Sequence, residues 1–139
     1  MNNSQSNIIR EIAQELDCGN DCYYNSRTNE IFAIPNFLQV MDEEEFKESF
    51  RVDLEKIEKH KTEFIKIEVL KSSESFKIME RFVEQMSEQK FKSELENILA
   101  RKNPFQNFKY KINHSDCRND WFKFKQSELE KIIRNQLNR

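Results

Sequence analysis

Five side chains in this sequence could ligate a soft metal: Cys18, Cys22, His60, His114 and Cys117. Cys18 and Cys22 are four residues apart and His114 and Cys117 three apart, so a Cys/Cys/His/Cys zinc site can be drawn from them. Tetrahedral zinc needs four ligands to converge, and these two pairs lie far apart along the chain. The first pair also spans the expected end of a helix and start of a strand. Structural zinc sites show tighter paired spacing, and a redox dithiol is one residue shorter, Cys-x-x-Cys. The sequence therefore predicts no bound metal and no cofactor.

Nucleophilic catalysis needs a nucleophile, a base and an orienting group within hydrogen-bond reach. His114, Asp116 and Cys117 are close in sequence, but sequence neighbours rarely achieve that geometry. The single Gly cannot build a nucleophile elbow, an oxyanion loop or a phosphate-cradling loop. Glu44 and Glu48 sit one helical turn apart in an acidic run, the pattern of a solvated helix face. No residue set specifies an enzyme.

The stretch from Asn103 to Lys125 is richer. It holds Phe105, Phe108, Tyr110, Trp121, Phe122 and Phe124, with Lys109, Lys111, Arg118, Lys123 and Lys125 among them. Rings at helical spacing usually pack, so the first expectation is a core closed by aromatic faces. The alternative is an exposed aromatic-basic surface. Lys109, Arg118, Lys123, Phe124 and Lys125 are its candidate partner-binding residues. Rings that stack bases and cations that follow phosphates also suit a nucleic-acid strand. Against that, the net charge is −2, and in a helix Lys123 and Lys125 project away from one another.

Charge is unevenly distributed. Met1–Val40 carries two basic and five acidic residues, and Met41–His60 four and eight. Lys61–Lys102 is nearly balanced, with nine and eight, and Asn103–Arg139 carries eight basic and four acidic. An acidic head and a basic tail are expected to attract each other within the fold. The functional counterpart sends the basic tail toward an acidic partner.

These residues must be positioned by a chain with one Gly and two Pro, a scarcity that favours helices with compact turns. Ile8, Ile9, Ile12, Ala13 and Leu16 form a helical stripe, ended by Gly19. Cys22–Asn25 and Glu30–Pro35 form a hairpin about Ser26–Asn29, with Pro35 at an edge. Asp42, with Glu45 three residues on, would cap one helix to Lys59 that carries Phe46, Phe50, Leu54 and Ile57. Phe64–Leu70 alternates and supplies a third strand. Ser72 or Ser73 would cap a helix with Phe76, Met79, Phe82, Val83 and Met86, and Ser87 the next, with Phe91, Leu95, Ile98 and Leu99 inward. Asn103 caps a short helix that starts at Pro104 and runs to about Ile112, with Gln106 where a capping box wants Glu or Gln. A last helix groups Trp121, Phe122, Leu129, Ile132, Ile133 and Leu137, with a break at Ser127.

The fold class expected is α+β: a small three-stranded, mostly antiparallel sheet with helices, then a helical C-terminal lobe. The length suits a single domain over residues 1–139, with a seam near 71–73. No apolar run approaches a membrane span. The polar start Met1–Asn7 reads as a frayed terminus without a signal peptide. The odd number of cysteines suits a reduced compartment, so the expected location is cytoplasmic.

The segments Glu11–Asn36, Phe64–Leu70, Ser72–Met86, ARKNPFQNFK (Ala100–Lys109) and DWFKFKQSELE (Asp120–Glu130), in this order, resemble a bacterial uncharacterised protein family of small soluble proteins. The resemblance spans nearly the whole chain and implies one structural unit, with no established activity. The chain departs from that pattern where Lys123 and Lys125 flank Phe124. The functional expectation is a non-catalytic protein-interaction or regulatory module, with an unknown protein partner or a homodimer. Its contact surface is the aromatic-basic face of the last two helices or an exposed edge of the small sheet; the alternative is nucleic-acid binding through the aromatic-basic C-terminal stretch, and behind it an enzyme of unknown class.

Overall fold

The computed structural model describes residues 3–36 and 43–138. Among them are seven α-helices and a three-stranded antiparallel sheet, the expected α+β class. Contacts group the chain into two compact units. One is Met1–Val69 with Leu129–Arg139; the other is Leu70–Glu128.

In the first unit, α1 spans Asn3–Asp17 and buries Ile9, Ile12, Ala13 and Leu16, the stripe that its spacing predicts. The polar start is helical from Asn3 rather than frayed, and Met1 and Asn2 lie outside the described residues. Gly19 ends the helix with φ 90°, a value that costs a side chain with a Cβ dearly. Strands β1 (Asn20–Asn25) and β2 (Glu30–Pro35) pair antiparallel. Their turn is held by Asn25, whose side-chain oxygen accepts the backbone N–H groups of Arg27 and Thr28. Asn29 takes the left-handed conformation, φ 64°, which Asn tolerates.

Strand β3 (Phe64–Ile67) adds to the other side of β1, so the order is β2-β1-β3 with Pro35 on an edge strand. It stops short of the expected Leu70. The backbone N–H of Val69 donates to the Asp21 carboxylate at 2.9 Å instead of continuing the ladder.

The helix expected from Asp42 to Lys59 is two helices, α2 (Glu43–Ser49) and α3 (Arg51–Lys59). The backbone leaves helical geometry at Phe50, φ −115° and ψ 16°, with no proline or glycine to mark the place. Ile57 is buried and Phe50 and Leu54 are half-buried. The Asp42 cap lies outside the described residues, as does the placement of the Phe46 side chain.

In the second unit, α4 is Ser72–Glu84, α5 Gln89–Leu99 and α6 Pro104–Asn113. Two caps fall one residue from their expected places. Glu74 accepts the backbone N–H of Lys71, so Lys71, not a serine, precedes α4. Glu88, not Ser87, caps α5 by accepting from Lys90 and Phe91. Its longer carboxylate carries charge to the positive helix end. Asn103 precedes α6 as expected, but its backbone is left-handed (φ 54°) and its side chain makes no capping bond.

Helix α7 runs unbroken from Arg118 to Leu137, straight through Ser127 where a break was expected. Ser115 shapes its entry: the hydroxyl donates to the Ile112 carbonyl and accepts the Cys117 N–H. Residues to Glu128 belong to the second unit, and Leu129 and Ile133 are buried in the first. Among the described residues, no helix is long and apolar enough to cross a membrane.

Candidate functional site

Trp121 is 7% exposed and closes the core of the second unit. Its ring meets Phe108 of α6 edge to face at 5.0 Å and Phe82 of α4 at 5.2 Å. Ile78, Met79, Val83, Leu95 and Ile112 are buried in the same unit. The packing reading of the aromatic stretch therefore holds for Trp121 and Phe108.

It does not hold for Phe105 and Phe122, each 42% exposed. These two rings lie on an open groove of about 390 Å³ formed by α4, α6 and α7. Ile78, Met79, Phe108 and Trp121 give it an apolar lining. Ser72 and Ser75 face it from α4, where small side chains leave room, and Lys109 and Lys125 add positive charge. A groove of this size, apolar with a few polar groups, has room for a small ligand or one inserted side chain.

The cations are held against rings. The Lys125 ammonium lies 5.9 Å from the centre of the Trp121 ring, and the Arg118 guanidinium 4.9 Å from that of Phe122. Each pair is one helical turn apart on α7, so the helix itself sets the geometry. Such contacts hold these long side chains against the rings.

The five candidate residues separate into two groups. Lys109 and Lys125 share the groove, with Arg118 beside it over Phe122. Lys123 and Phe124 line a different concavity with Gln85, Met86, Glu88, Cys117 and Asp120. There Phe124 packs on Phe82 at 5.4 Å. The Lys123-Phe124-Lys125 triplet is thus not one surface, because consecutive helical residues point about 100° apart. Lys111 is engaged elsewhere, 3.1 Å from the Glu94 carboxylate and over the Phe91 ring.

Of the α4 wall, Met79 belongs to the stripe legible in the sequence; Ser75 and Ile78, at i and i+3 to its i+4 along one face, do not, because Phe76, Phe82 and Val83 dominate the pattern.

The catalytic candidates are occupied locally. His114 Nδ1 lies 2.8 Å from the Tyr110 carbonyl oxygen, and its ring rests 4.2 Å from the Tyr110 ring. Burial, then Asp120 and Asp116, push the Cys117 thiol up from its ordinary value, away from a reactive thiolate. The buried Cys22 thiol faces the Ile12 carbonyl at 3.9 Å. Among the described residues, no group of three or more His, Cys, Asp or Glu is placed to hold a metal ion.

No curated protein and no solved structure matches the chain. A family model does match, over residues 4–138, and so the chain belongs to the Uncharacterised protein family UPF0158.

Proposed function

We propose that the protein is a non-catalytic interaction module that binds a partner in the α4–α6–α7 groove. The observation that carries this reading is the meeting of two half-exposed rings, Phe105 and Phe122, with Lys109 and Lys125 around an apolar lining. Such a surface favours a partner that inserts a large apolar side chain and sets carboxylates beside it. Aromatic rings and Arg are enriched at the centres of protein interfaces, and Phe105, Phe122 and Arg118 supply them here. The three unpaired cysteines support a cytoplasmic setting for that partner.

The nucleic-acid alternative rests on the exposed Phe122 ring with Arg118 above it, a place where a base could stack. The acidic head argues against it, since it repels a phosphate backbone.

A tagged pull-down from native cytosol, with and without nuclease, separates the two. The module reading expects a defined protein that survives nuclease and is lost with Phe122→Ser or Lys109→Glu/Lys125→Glu. Nucleic acid that is recovered and then lost in moderate salt would replace it with the alternative. A partner retained by every groove variant would remove the groove from the account.

A further inference from the structure

We propose that the groove of one copy receives the acidic α2–α3 face of a second copy of this chain, with Val52 as the inserted side chain. This rests on the interaction reading of the groove and names its occupant.

The groove calls for an apolar side chain with carboxylates around it, and the chain carries that pattern itself. Val52 on α3 is 71% exposed, more than any other large hydrophobic side chain among the described residues. Glu55, one turn beyond Val52 on the same helix, is exposed, and Glu44, Glu45 and Glu48 are exposed on the preceding α2. Val is stiff at χ1, so docking it sacrifices little freedom.

Charge complementarity supports the same pairing. Met41–His60 holds eight acidic against four basic residues, and Asn103–Arg139 holds the reverse, four against eight. One basic residue of the acidic face is already committed: the Lys56 ammonium pairs with Glu30 at 2.5 Å. Lys47 and Arg51 lie among Glu44, Glu48 and Glu55 in one shallow concavity, where the carboxylates outnumber them. The exposed Val52 and the half-exposed Phe105 and Phe122 would be covered together. One inserted side chain makes a small interface, so self-association through it is weak and salt-sensitive.

Sedimentation of the full-length protein over a range of concentrations and salt tests this. The expected result is concentration-dependent self-association that weakens as salt rises. Val52→Asp should weaken it by at least about tenfold because a charge then enters the apolar lining, and Lys109→Glu/Lys125→Glu and Glu48→Lys/Glu55→Lys by as much, since like charges then meet. Combining the last two pairs in one chain exchanges the charges and should restore association. A structural defect would not produce that recovery. Thermal melts confirm that each variant folds.

A protein that stays monomeric at every concentration overturns the proposal, and so does association that survives Val52→Asp. In either case, a captured partner still lost with Lys109→Glu/Lys125→Glu would leave the groove reading standing. Both fail if the groove variants change neither association nor capture.

Discussion

Phe108 and Trp121 meet with their ring centres 5.0 Å apart and their planes at 73°. This edge-to-face contact ties α6 to α7, and Trp121 continues it to Phe82 of α4. One indole therefore both seals a core and walls the groove. Trp121→Ala should destabilise the fold by about 3–5 kcal/mol, as removal of a buried large aromatic does. Urea unfolding followed by circular dichroism measures it. An unchanged unfolding midpoint would contradict the core role of this ring.

Phe122, on the next position of α7, should behave in the opposite way. It is half exposed and its close contact is with Arg118. Phe122→Ser should change stability by less than about 1 kcal/mol, the usual scale for exposed positions. Partner capture should nevertheless fall sharply. A large stability loss with unchanged capture would assign Phe122 to packing instead.

Arg81 and Glu128 offer a test of a different kind. The Arg81 Nε donates to the Glu128 carboxylate at 2.8 Å, and Glu128 is only 8% exposed. A hydrogen bond between two charged groups, shielded from water at its carboxylate end, contributes more than a neutral one. Arg81→Ala should therefore destabilise by about 1–3 kcal/mol. A double-mutant cycle with Glu128→Gln should show coupling between the two positions. Strict additivity would mean that the pair contributes nothing specific.

The sheet and the helix caps show what could be read from the sequence. The hairpin was legible because two β-prone runs flank a polar turn, and Asn25 and Asn29 supply its chemistry locally. Strand β3 was legible from its alternation, but its end was not. Asp21, remote in sequence, takes the Val69 N–H. The aromatic stretch was legible as important but not as two surfaces. Which rings stay exposed depends on α4, whose Ser72 and Ser75 leave the groove open. No local pattern in the stretch itself records that.

The thiols should differ in reactivity. Cys18 is exposed, Cys117 half-buried and Cys22 buried. Burial, then Glu15, Asp21 and Glu11, push the Cys22 thiol from its ordinary 9.0 up to about 12. The folded state then holds its proton more firmly than the unfolded state. Below pH 9.0 both states are protonated and this group adds no pH dependence. Between 9.0 and about 12 stability falls as pH rises, because only the unfolded state gains by ionising. Unfolding midpoints followed through that range should fall less steeply for Cys22→Ala than for wild type. A disulfide-exchange reagent at neutral pH should label Cys18 first and Cys22 only on unfolding. Early labelling of Cys22 would contradict its placement.

The proposed partner-binding surface is the groove that α4, α6 and α7 form together. Hydrogen exchange of the full-length chain, with and without the partner recovered by pull-down, tests it most directly. New protection is expected in Ser72–Met79, Phe105–Asn113 and Trp121–Lys125, with the β2 and β3 edges unchanged. Protection confined to those sheet edges would place the partner on the sheet and contradict it.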